Sequence, residues 1–480
     1  MTEPLHYRTA AELAAEIRAG HLSARELVTA QLAQIERWNA HVNAIVTLDA
    51  DAALAAARHA DEEQAHGGKL GPLHGLPIVH KDLFATRGMR TTYGSLAFAH
   101  NVPTESALIV EREQRAGAIT LGKSNTPEFG AGSQTFNAVF GKTRNPYALD
   151  RTCGGSSGGA AVALACGMVP MADGTDMGGS LRCPANFCNV VGFRPSIGRV
   201  PVWPTRYLFG ALTTPGPLAR TVADAALLFS VQCGPDTRSP LSQSEPFEHF
   251  ARALERDFRG ARIAFTPDMG GLPVHDEVEQ VLRSRVRVFE DLGMVVEEAC
   301  PDFADADEIF LALRALAFET SWGPALDEHR ELLKETVVWN IEAGRRLTGA
   351  EIARAERQRS LLCSRVSAFM RRYEFIAAPV NQVLPFPVDD EYVRSINGIP
   401  MRNYIDWMRS CYYITLTGQP AISVPCGFSA SGLPVGLQIV GRAHDDWGVL
   451  QLAHAFEQAT QAGLRRPALP EETGAPLKPP

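Results

Sequence analysis

The chain has 480 residues, of which 45% are hydrophobic and 21% are charged, an ordinary composition for a globular protein. Its net charge of −8 excludes a protein that binds nucleic acid through the phosphate backbone, because no basic surplus is present to neutralise phosphates. No uncharged apolar run reaches the ~18 residues of a membrane-spanning helix, so we expect no membrane partner.

The nine cysteines are scattered along the sequence, which contains no Cys-x-x-Cys pair. We interpret them as reduced thiols, because neither a zinc-finger spacing nor a disulfide framework is visible. The N-terminus lacks the basic segment and apolar core that form a secretory signal. The sequence therefore predicts a cytoplasmic protein without a metal or other cofactor.

The first 230 residues predict two regions. Residues 1–70 form an N-terminal helical region packed on the core, and capping-box patterns begin two of its helices at Thr9 and Ser23. In residues 71–230, short apolar runs alternate with turns that are rich in Gly, Ser and Pro. This alternation is typical of an α/β layer whose loops carry the functional residues.

Residues 231–372 predict a βαβ unit followed by a helical cap. The unit consists of a strand at 262–265, a helix from Asp276 to Leu292 and a strand at 294–296. Residues 304–372 contain few helix breakers and are expected to be mostly helical. They are placed to cover the core as a cap or lid.

The last region, residues 373–480, returns to short strands and completes the sheet. A helix is expected from about Asp446 to Gln461, and the Pro-rich end after Leu469 predicts a loose tail. The fold class is therefore α/β. We expect a single compact domain with one large mixed β-sheet, helices on both of its faces and a helical cap segment.

Two glycine-rich segments and one lysine indicate the chemistry. Residues 154–159 read Gly-Gly-Ser-Ser-Gly-Gly, residues 174–182 read Gly-Thr-Asp-Met-Gly-Gly-Ser-Leu-Arg, and Lys81 lies in an apolar stretch. The sequence contains no His-Glu-x-x-His motif, so a metal-bound nucleophile is not expected. Without a metal, attack on an amide requires a nucleophilic side chain, a base and oxyanion donors.

Three other interpretations of residues 154–159 stay open from the residues alone. The glycines fit tight turns without a catalytic role. A phosphate-binding loop has less support, since the lysine of the P-loop motif and the Gly-x-Gly-x-x-Gly spacing are both missing. A Gly-x-Ser-x-Gly elbow with a Ser–His–Asp triad needs a strand directly before it, which residues 151–153 do not predict.

Taken together with residues 192–200, these segments resemble the signature block of the amidase signature family. The resemblance extends over nearly the whole chain, and one departure is Asn189, where the family usually has glycine. We expect Asn189 to alter only local packing. The other matching segments are Gly75–Asp82, Gly122–Phe129, Asn145–Pro146, Pro215–Val222, Gly418–Ala421 and Gly432–Gln438.

The resemblance implies a Ser–cis-Ser–Lys triad. By motif position, Ser180 is the nucleophile, Ser156 is the bridging serine after a cis peptide bond, and Lys81 is the base. A lysine accepts a proton only in its neutral form, and burial in an apolar environment lowers the pKa of an amine. The implied activity is hydrolysis of the C–N bond of a linear, small-molecule carboxamide, with aryl amides, carbamates and esters as further candidates.

An oxyanion hole and supporting residues are implied around the nucleophile. Asp176 and Arg182 are expected to form a supporting charge pair, and Ser157 a hydrogen bond within the site. The alternative for the charged residues is that both face water. The predicted oxyanion donors are the main-chain N–H groups of Met177, Gly178, Gly179 and Ser180.

Substrate contacts are indicated only in outline. Phe129, Gly132 and Ser133 correspond to a family segment that lines the acyl pocket. Several aromatic residues are candidates for an apolar wall of the site, although packing in the core or the lid is the favoured interpretation for each one alone. These residues are Trp203, Tyr207, Phe209, Trp339 and Trp407.

Two alternative functions are kept. The first is the amidase (A) subunit of a glutamine-dependent tRNA amidotransferase. Residues 330–372 argue against it, because they do not resemble the segment that such subunits carry. Asn340–Gly344 and Tyr404–Trp407 resemble free-standing bacterial amidases instead. The second is a catalytically silent binding protein, and the intact triad argues against it. The expected partners are a small-molecule amide and water, without nucleic acid, and a homodimer is left open.

Overall fold

The structure is a computed structural model that describes residues 3–245 and 252–469. The tail predicted after Leu469 lies outside the described residues. Among the described residues, the structure contains no helix with the length and apolarity that crossing a membrane requires. The helices are α1 (Ala10–Arg18), α2 (Ala24–Val42), α3 (Ala50–Ala65), α4 (Leu108–Arg115), α5 (Gly158–Ala165), α6 (Arg182–Phe187), α7 (Val222–Gln232), α8 (Asp276–Arg283), α9 (Val286–Asp291), α10 (Ala306–His329), α11 (Glu335–Arg346), α12 (Gly349–Met370), α13 (Arg409–Thr417) and α14 (Asp446–Thr460).

Most strands belong to one 11-stranded mixed sheet, and the others form three short two-stranded sheets. The strands are β1 (Ile45–Leu48), β2 (Pro77–Lys81), β3 (Ile119–Ser124), β4 (Phe136–Asn137), β5 (Gly141–Lys142), β6 (Arg144–Asn145), β7 (Ala148–Thr152), β8 (Met171–Asp176), β9 (Val191–Arg194), β10 (Thr214–Ala219), β11 (Arg262–Phe265), β12 (Val295–Glu298), β13 (Phe375–Pro379), β14 (Ser395–Ile396), β15 (Ile399–Pro400), β16 (Ala421–Phe428) and β17 (Pro434–Gly441). The order in the large sheet is β1-β3-β2-β8-β10-β9-β16-β17-β13-β11-β12.

Both faces of the large sheet are covered by helices. In β13, Phe375 and Ala377 pack into a hydrophobic cluster with α7, α8 and α14. Their neighbours Ile376 and Ala378 pack into a second cluster with α10, α12 and α13. Because successive side chains of a strand point to opposite faces, this apolar run serves two cores at once. The predicted fold class is confirmed.

The sheet brings the predicted catalytic segments to one edge. Strand β2 runs parallel to both β3 and β8. Parallel neighbours end at the same edge of a sheet, so the end of β2 at Lys81 and the end of β8 at Asp176 lie at one edge. The loop after β8 then carries Ser180 over this edge.

The N-terminal region contains one element that the sequence pattern did not predict. Both predicted capping boxes are formed, with Thr9 accepting the N–H of Glu12 and Ser23 that of Glu26. The predicted all-helical region also contains β1, which pairs antiparallel with β3 at the edge of the large sheet. Residues 1–70 therefore extend the sheet as well as covering it.

The later elements follow the predictions with small changes. The predicted βαβ unit is formed by β11 and β12, which pair in parallel, but its helix is divided into α8 and α9 around Ser284. Helices α10, α11 and α12 fill the region predicted as a helical cap. All four predicted regions contribute strands to the same large sheet.

Candidate active site

Lys81 is fully buried and is surrounded by hydroxyl groups. Its Nζ lies 2.7 Å from Ser156 Oγ, 2.9 Å from Ser157 Oγ and 2.9 Å from Thr175 Oγ1. Burial lowers the pKa of Lys81 to about 7, against the opposing attraction of the Asp176 and Asp173 carboxylates. Near neutral pH, a substantial fraction of Lys81 is therefore a neutral amine that can accept a proton.

Ser156 lies in a tight turn between β7 and α5, and its peptide bond with Gly155 is cis. Thr135 supports the turn, because its Oγ1 donates to the carbonyl of Gly154 at 2.9 Å and accepts the N–H of Gly158 at 3.2 Å. A Cβ at Gly158 would lie 2.2 Å from Thr135 Oγ1, so the side chain of any other residue would displace this support.

The expectation that no strand precedes Ser156 was wrong. β7 ends at Thr152 and α5 begins at Gly158, so a strand–turn–helix arrangement is present. β7 pairs with the two-residue β6 and forms an isolated bridge from Arg151 to Pro387, but it does not belong to the large sheet, which explains the weak strand pattern. The basic group beside Ser156 is Lys81 Nζ, and this contact favours the lysine-based triad over a Ser–His–Asp elbow.

Ser180 lies in the loop between β8 and α6 and is only 6% exposed. It borders the same cavity as Ser156. The two serine segments are also joined directly, because the N–H of Ser157 donates to the carbonyl of Ser180 at 3.2 Å. The structure thus brings Lys81 into contact with Ser156 and places Ser156 and Ser180 on the wall of one cavity.

The carboxylate of Asp176 shapes the loop before Ser180. It accepts the N–H of Gly179 at 3.0 Å and that of Leu181 at 3.2 Å. The Gly179 N–H was expected as an oxyanion donor, and this assignment has to be corrected because the N–H is bound to a negatively charged acceptor. The expected donors that are left are Met177, Gly178 and Ser180.

Asp176 also forms a fully buried ion pair with Arg182. Arg182 donates from Nε at 2.9 Å and from Nη2 at 2.8 Å, and Arg194 Nη1 lies 3.3 Å from the same carboxylate. Burial alone would raise the pKa of Asp176, but the charges and hydrogen bonds of the two arginines hold it well below its usual range. The loop is therefore fixed by a carboxylate that stays ionised, and neither Asp176 nor Arg182 faces water.

A cavity of ≈ 580 Å³ opens beside the serines. Phe129, Gly132 and Ser133 line it as the sequence predicts, and so do Trp203 and Tyr207. The other three aromatic candidates lie elsewhere, because Phe209 and Trp339 are 71% and 40% exposed and Trp407 packs between Phe187 and Phe386.

Helix α10 contributes a wall of the cavity that no sequence motif indicates. Trp322 stacks on Phe129 with ring centroids 3.9 Å apart, and Phe318 and Arg314 also line the cavity. These residues lie at helical spacing on one face of α10, which is the signal that could have grouped them. The region predicted as a cap therefore supplies part of the site itself.

Among the described residues, one set of side chains has the spacing of a metal site: His80, Glu113 and Asp173. These groups already bind one another, since His80 Nδ1 lies 2.6 Å from Asp173 and 3.2 Å from Glu113. Burial would lower the pKa of His80, but the two carboxylates raise it to about 9. The cluster is a buried ion pair, and Asp173 also accepts the main-chain N–H of Lys81 at 2.7 Å.

Comparison with known proteins agrees with this geometry. The family model described as Amidase matches residues 26–450. An acylamidase of Rhodococcus erythropolis is 35% identical, over 98% of this chain and 99% of the relative. The crystal structure of a bacterial aryl acylamidase of the amidase signature family superposes with a TM-score of 0.90, at 31% identity, over 97% of this chain and 100% of that chain.

A second group of relatives has a different function. The glutamyl-tRNA(Gln) amidotransferase A subunit of Chloroflexus aurantiacus is 36% identical, over 98% of this chain and 100% of the relative. The chain belongs to the amidase family, and it is a hydrolase that acts on amide C–N bonds.

Proposed function

We propose that the chain is a free-standing amidase that cleaves small-molecule carboxamides through an acyl-enzyme on Ser180. The observation that carries the proposal is the contact of Lys81 Nζ with Ser156 Oγ at 2.7 Å, in a site where burial lowers the lysine pKa to about 7. Ser156 and Ser180 border one cavity, so the relay and the nucleophile reach the same substrate, and Lys81 acts through Ser156.

In the first step, neutral Lys81 accepts the proton of Ser156 while Ser156 accepts the proton of Ser180. Ser180 Oγ forms a bond to the carbonyl carbon, and the carbonyl oxygen becomes an oxyanion. When this intermediate collapses, the C–N bond breaks and the proton passes from Lys81 through Ser156 to the departing nitrogen. The products of the step are a neutral amine and an ester on Ser180.

The oxyanion is proposed to accept hydrogen bonds from the main-chain N–H groups of Met177, Gly178 and Ser180. Loss of one such donor typically raises the barrier by about 3–4 kcal/mol. The ion pair of Asp176 with Arg182 holds this loop in place before substrate binds. Asp176 therefore acts on the reaction through the loop and not by contact with the substrate.

In the second step, a water molecule releases the enzyme. Lys81 accepts the water proton through Ser156, and the water oxygen forms a bond to the acyl carbon. The bond between the acyl carbon and Ser180 Oγ then breaks, and Ser180 recovers a proton from Lys81 through Ser156. A carboxylic acid leaves, and the three side chains return to their initial protonation states.

The cavity supports aryl or alkyl amides as the substrate class. The Phe129–Trp322 stack and Phe318 form an apolar wall beside the catalytic serines. Carbamates and esters pass through the same type of tetrahedral intermediate, so we include them as substrates. Similarity to an acylamidase and to an aryl acylamidase supports the amide as the main substrate.

The test is hydrolysis by the purified chain alone, with aryl amides, aliphatic amides, carbamates, esters and glutamine. The expected result is turnover of an amide or carbamate that disappears in Ser180→Ala. Amide turnover that persists in Ser180→Ala would refute the acyl-enzyme.

A second candidate is the A subunit of a glutamine-dependent amidotransferase, and the identity to such subunits over 98% of the chain supports it. That function predicts no activity on small amides and glutamine hydrolysis only in the presence of partner subunits. Turnover of an aryl amide by the chain alone would therefore exclude it as the main activity.

The proposal also includes a cytoplasmic location, independence from nucleic acid and a homodimer as the candidate oligomeric state. The nine cysteines, which are all unpaired in the described part of the chain, support a reducing compartment. Cell fractionation tests the location. Light scattering of the purified chain, with and without tRNA, tests the other two statements.

A further inference from the structure

The cavity beside Ser180 has an unbalanced charge. Among the described residues that line it, the charged side chains are Arg206 and Arg314, and both are cations. Arg206 is exposed at the rim, whereas Arg314 is only 3% exposed. The inner part of the site thus contains one positive charge without a carboxylate in the cavity wall.

Arg314 has neutral hydrogen-bond partners. Its Nε donates to Asn340 Oδ1 at 3.0 Å, and its Nη2 donates to the Tyr404 hydroxyl at 2.8 Å. The guanidinium also lies 4.6 Å from the ring centroid of Phe318. Among the described residues, none of the ion pairs involves Arg314, and a buried charge without a counter-ion is unfavourable.

The remaining edge of Arg314 faces the catalytic loop. Nη1 lies 3.4 Å from the thioether sulfur of Met177, three residues before Ser180. A thioether is a weak acceptor, so a stronger acceptor from the substrate can readily take the place of Met177 at this N–H donor. A carboxylate is the acceptor that matches both the charge and the planar fork of a guanidinium.

We propose that the preferred substrate is an amide whose acyl part carries a carboxylate, which Arg314 binds in the inner cavity. The assignment to the acyl part follows from the position of Arg314 on α10, beside Phe318 and on the same helix as Trp322, which stacks on Phe129 of the predicted acyl pocket. The substrate class is therefore the monoamides of short dicarboxylic acids. This inference rests on the proposed amidase function.

The test compares two amides of the same shape. N-(4-nitrophenyl)succinamic acid carries the carboxylate, and N-(4-nitrophenyl)-4-methylpentanamide has an isopropyl group in its place. For the unmodified enzyme we expect kcat/KM to favour the acid by about 10–100-fold, since hydrogen bonds to charged groups contribute at this level. Equal kcat/KM for the two amides would overturn the inference.

Arg314→Gln keeps a polar side chain but removes the charge. It is expected to abolish the preference, mainly through a higher KM for the acid, so that the ratio of the two kcat/KM values falls to about one. An equal loss for both amides would show a merely structural role and would refute the inference. If Arg314→Gln does not fold, Arg314→Lys is tested in its place. This variant is expected to keep a reduced preference for the acid. An unchanged preference would contradict recognition of the carboxylate by the two-pronged guanidinium.

Arg206→Gln is the matched control, because it removes the other cation of the cavity at the exposed rim. The preference for the acid is expected to persist in this variant. Its loss in Arg206→Gln, with retention in Arg314→Gln, would overturn the assignment. A preference for a carboxylate on the aniline ring over one on the acyl chain would do the same.

A binding measurement separates this inference from the proposed function. By calorimetry, Ser180→Ala is expected to bind the succinamic acid more tightly than the neutral amide. The double variant Ser180→Ala/Arg314→Gln is expected to bind both with similar affinity. Such binding without any turnover by the unmodified chain would refute the amidase proposal and leave the Arg314 site intact. Turnover of the neutral amide without selective binding of the acid would refute the Arg314 site alone.

Discussion

The chain buries two lysines in neighbouring strands, and only one of them is placed to act as a base. Lys81 ends β2, and Lys123 lies in β3, where it pairs with His80 across the parallel ladder. Both side chains are fully buried. Burial lowers the pKa of Lys81 to about 7 and that of Lys123 to about 8, with nearby carboxylates opposing the shift in both.

The difference lies in the atoms around each amine. Lys81 contacts three hydroxyl groups, and a hydroxyl both donates and accepts, so it can pass a proton on. Lys123 donates to the carbonyl of Phe84 and to Thr86 Oγ1. A carbonyl only accepts, and the Thr86 hydroxyl donates its own proton to the same Phe84 carbonyl at 3.2 Å, so both groups hold Lys123 in a donor role. A lowered pKa alone does not make a catalytic base, and the partners decide the function.

The largest expected effect concerns the atom that Lys81 is proposed to activate. Ser180→Ala removes the nucleophile, and we expect kcat for amide hydrolysis to fall by roughly 10⁴–10⁶-fold, as for nucleophiles of other acyl-transfer enzymes. The variant should fold normally, because Ser180 borders a cavity. Steady-state kinetics and circular dichroism check both statements, and acylation by an activated ester should label the unmodified enzyme but not the variant.

The matched pair Lys81→Met and Lys123→Met tests the comparison itself. Lys81→Met should lower kcat by roughly 10³–10⁵-fold, because no base is left to accept the proton of Ser156. Lys123→Met should keep kcat within about tenfold but lower the free energy of unfolding by about 1–3 kcal/mol, since two buried acceptors lose their donor. A comparable loss of kcat in both variants would break the comparison.

Ser156→Ala should have a smaller effect than either loss above. It removes the relay between Lys81 and Ser180, but a water molecule in the vacated space can transfer the proton less efficiently. We expect kcat to fall by roughly 10²–10³-fold, within the usual range for general acid–base groups. Kinetics with an amide and the corresponding ester check this, and an unchanged amide rate would exclude Ser156 as the relay.

Much of the fold could be predicted from local signals. The capping boxes at Thr9 and Ser23 begin helices, and the alternation of strand, helix and strand after residue 261 forms a parallel unit. Strand β1 was missed because its four residues lie between two strong helices and its pairing with β3 is non-local. Asn189 has a φ of 53°, which explains why glycine is usual there.

The site was predictable only where a motif marks it. The spacing of the two glycine–serine segments indicated the serines, and the apolar context of Lys81 indicated a buried amine. Trp322 and Arg314 belong to the long helix α10, and their approach to the cavity depends on how α10 packs. The hydrogen bond from the Gly179 N–H to Asp176 spans only three residues, but the motif alone does not distinguish this N–H from an oxyanion donor.

The pH dependence of kcat/KM for an uncharged aryl amide tests the central claim most directly. Lys81 acts as a base only when neutral. Its neutral fraction rises steeply with pH below its pKa of about 7 and approaches one above it. The rate should therefore increase about tenfold per pH unit below this value and level off above it, in the unmodified enzyme and in Lys123→Met alike. A profile that is flat from pH 5 to 10, or a midpoint that shifts in Lys123→Met, would contradict the assignment of Lys81 as the base.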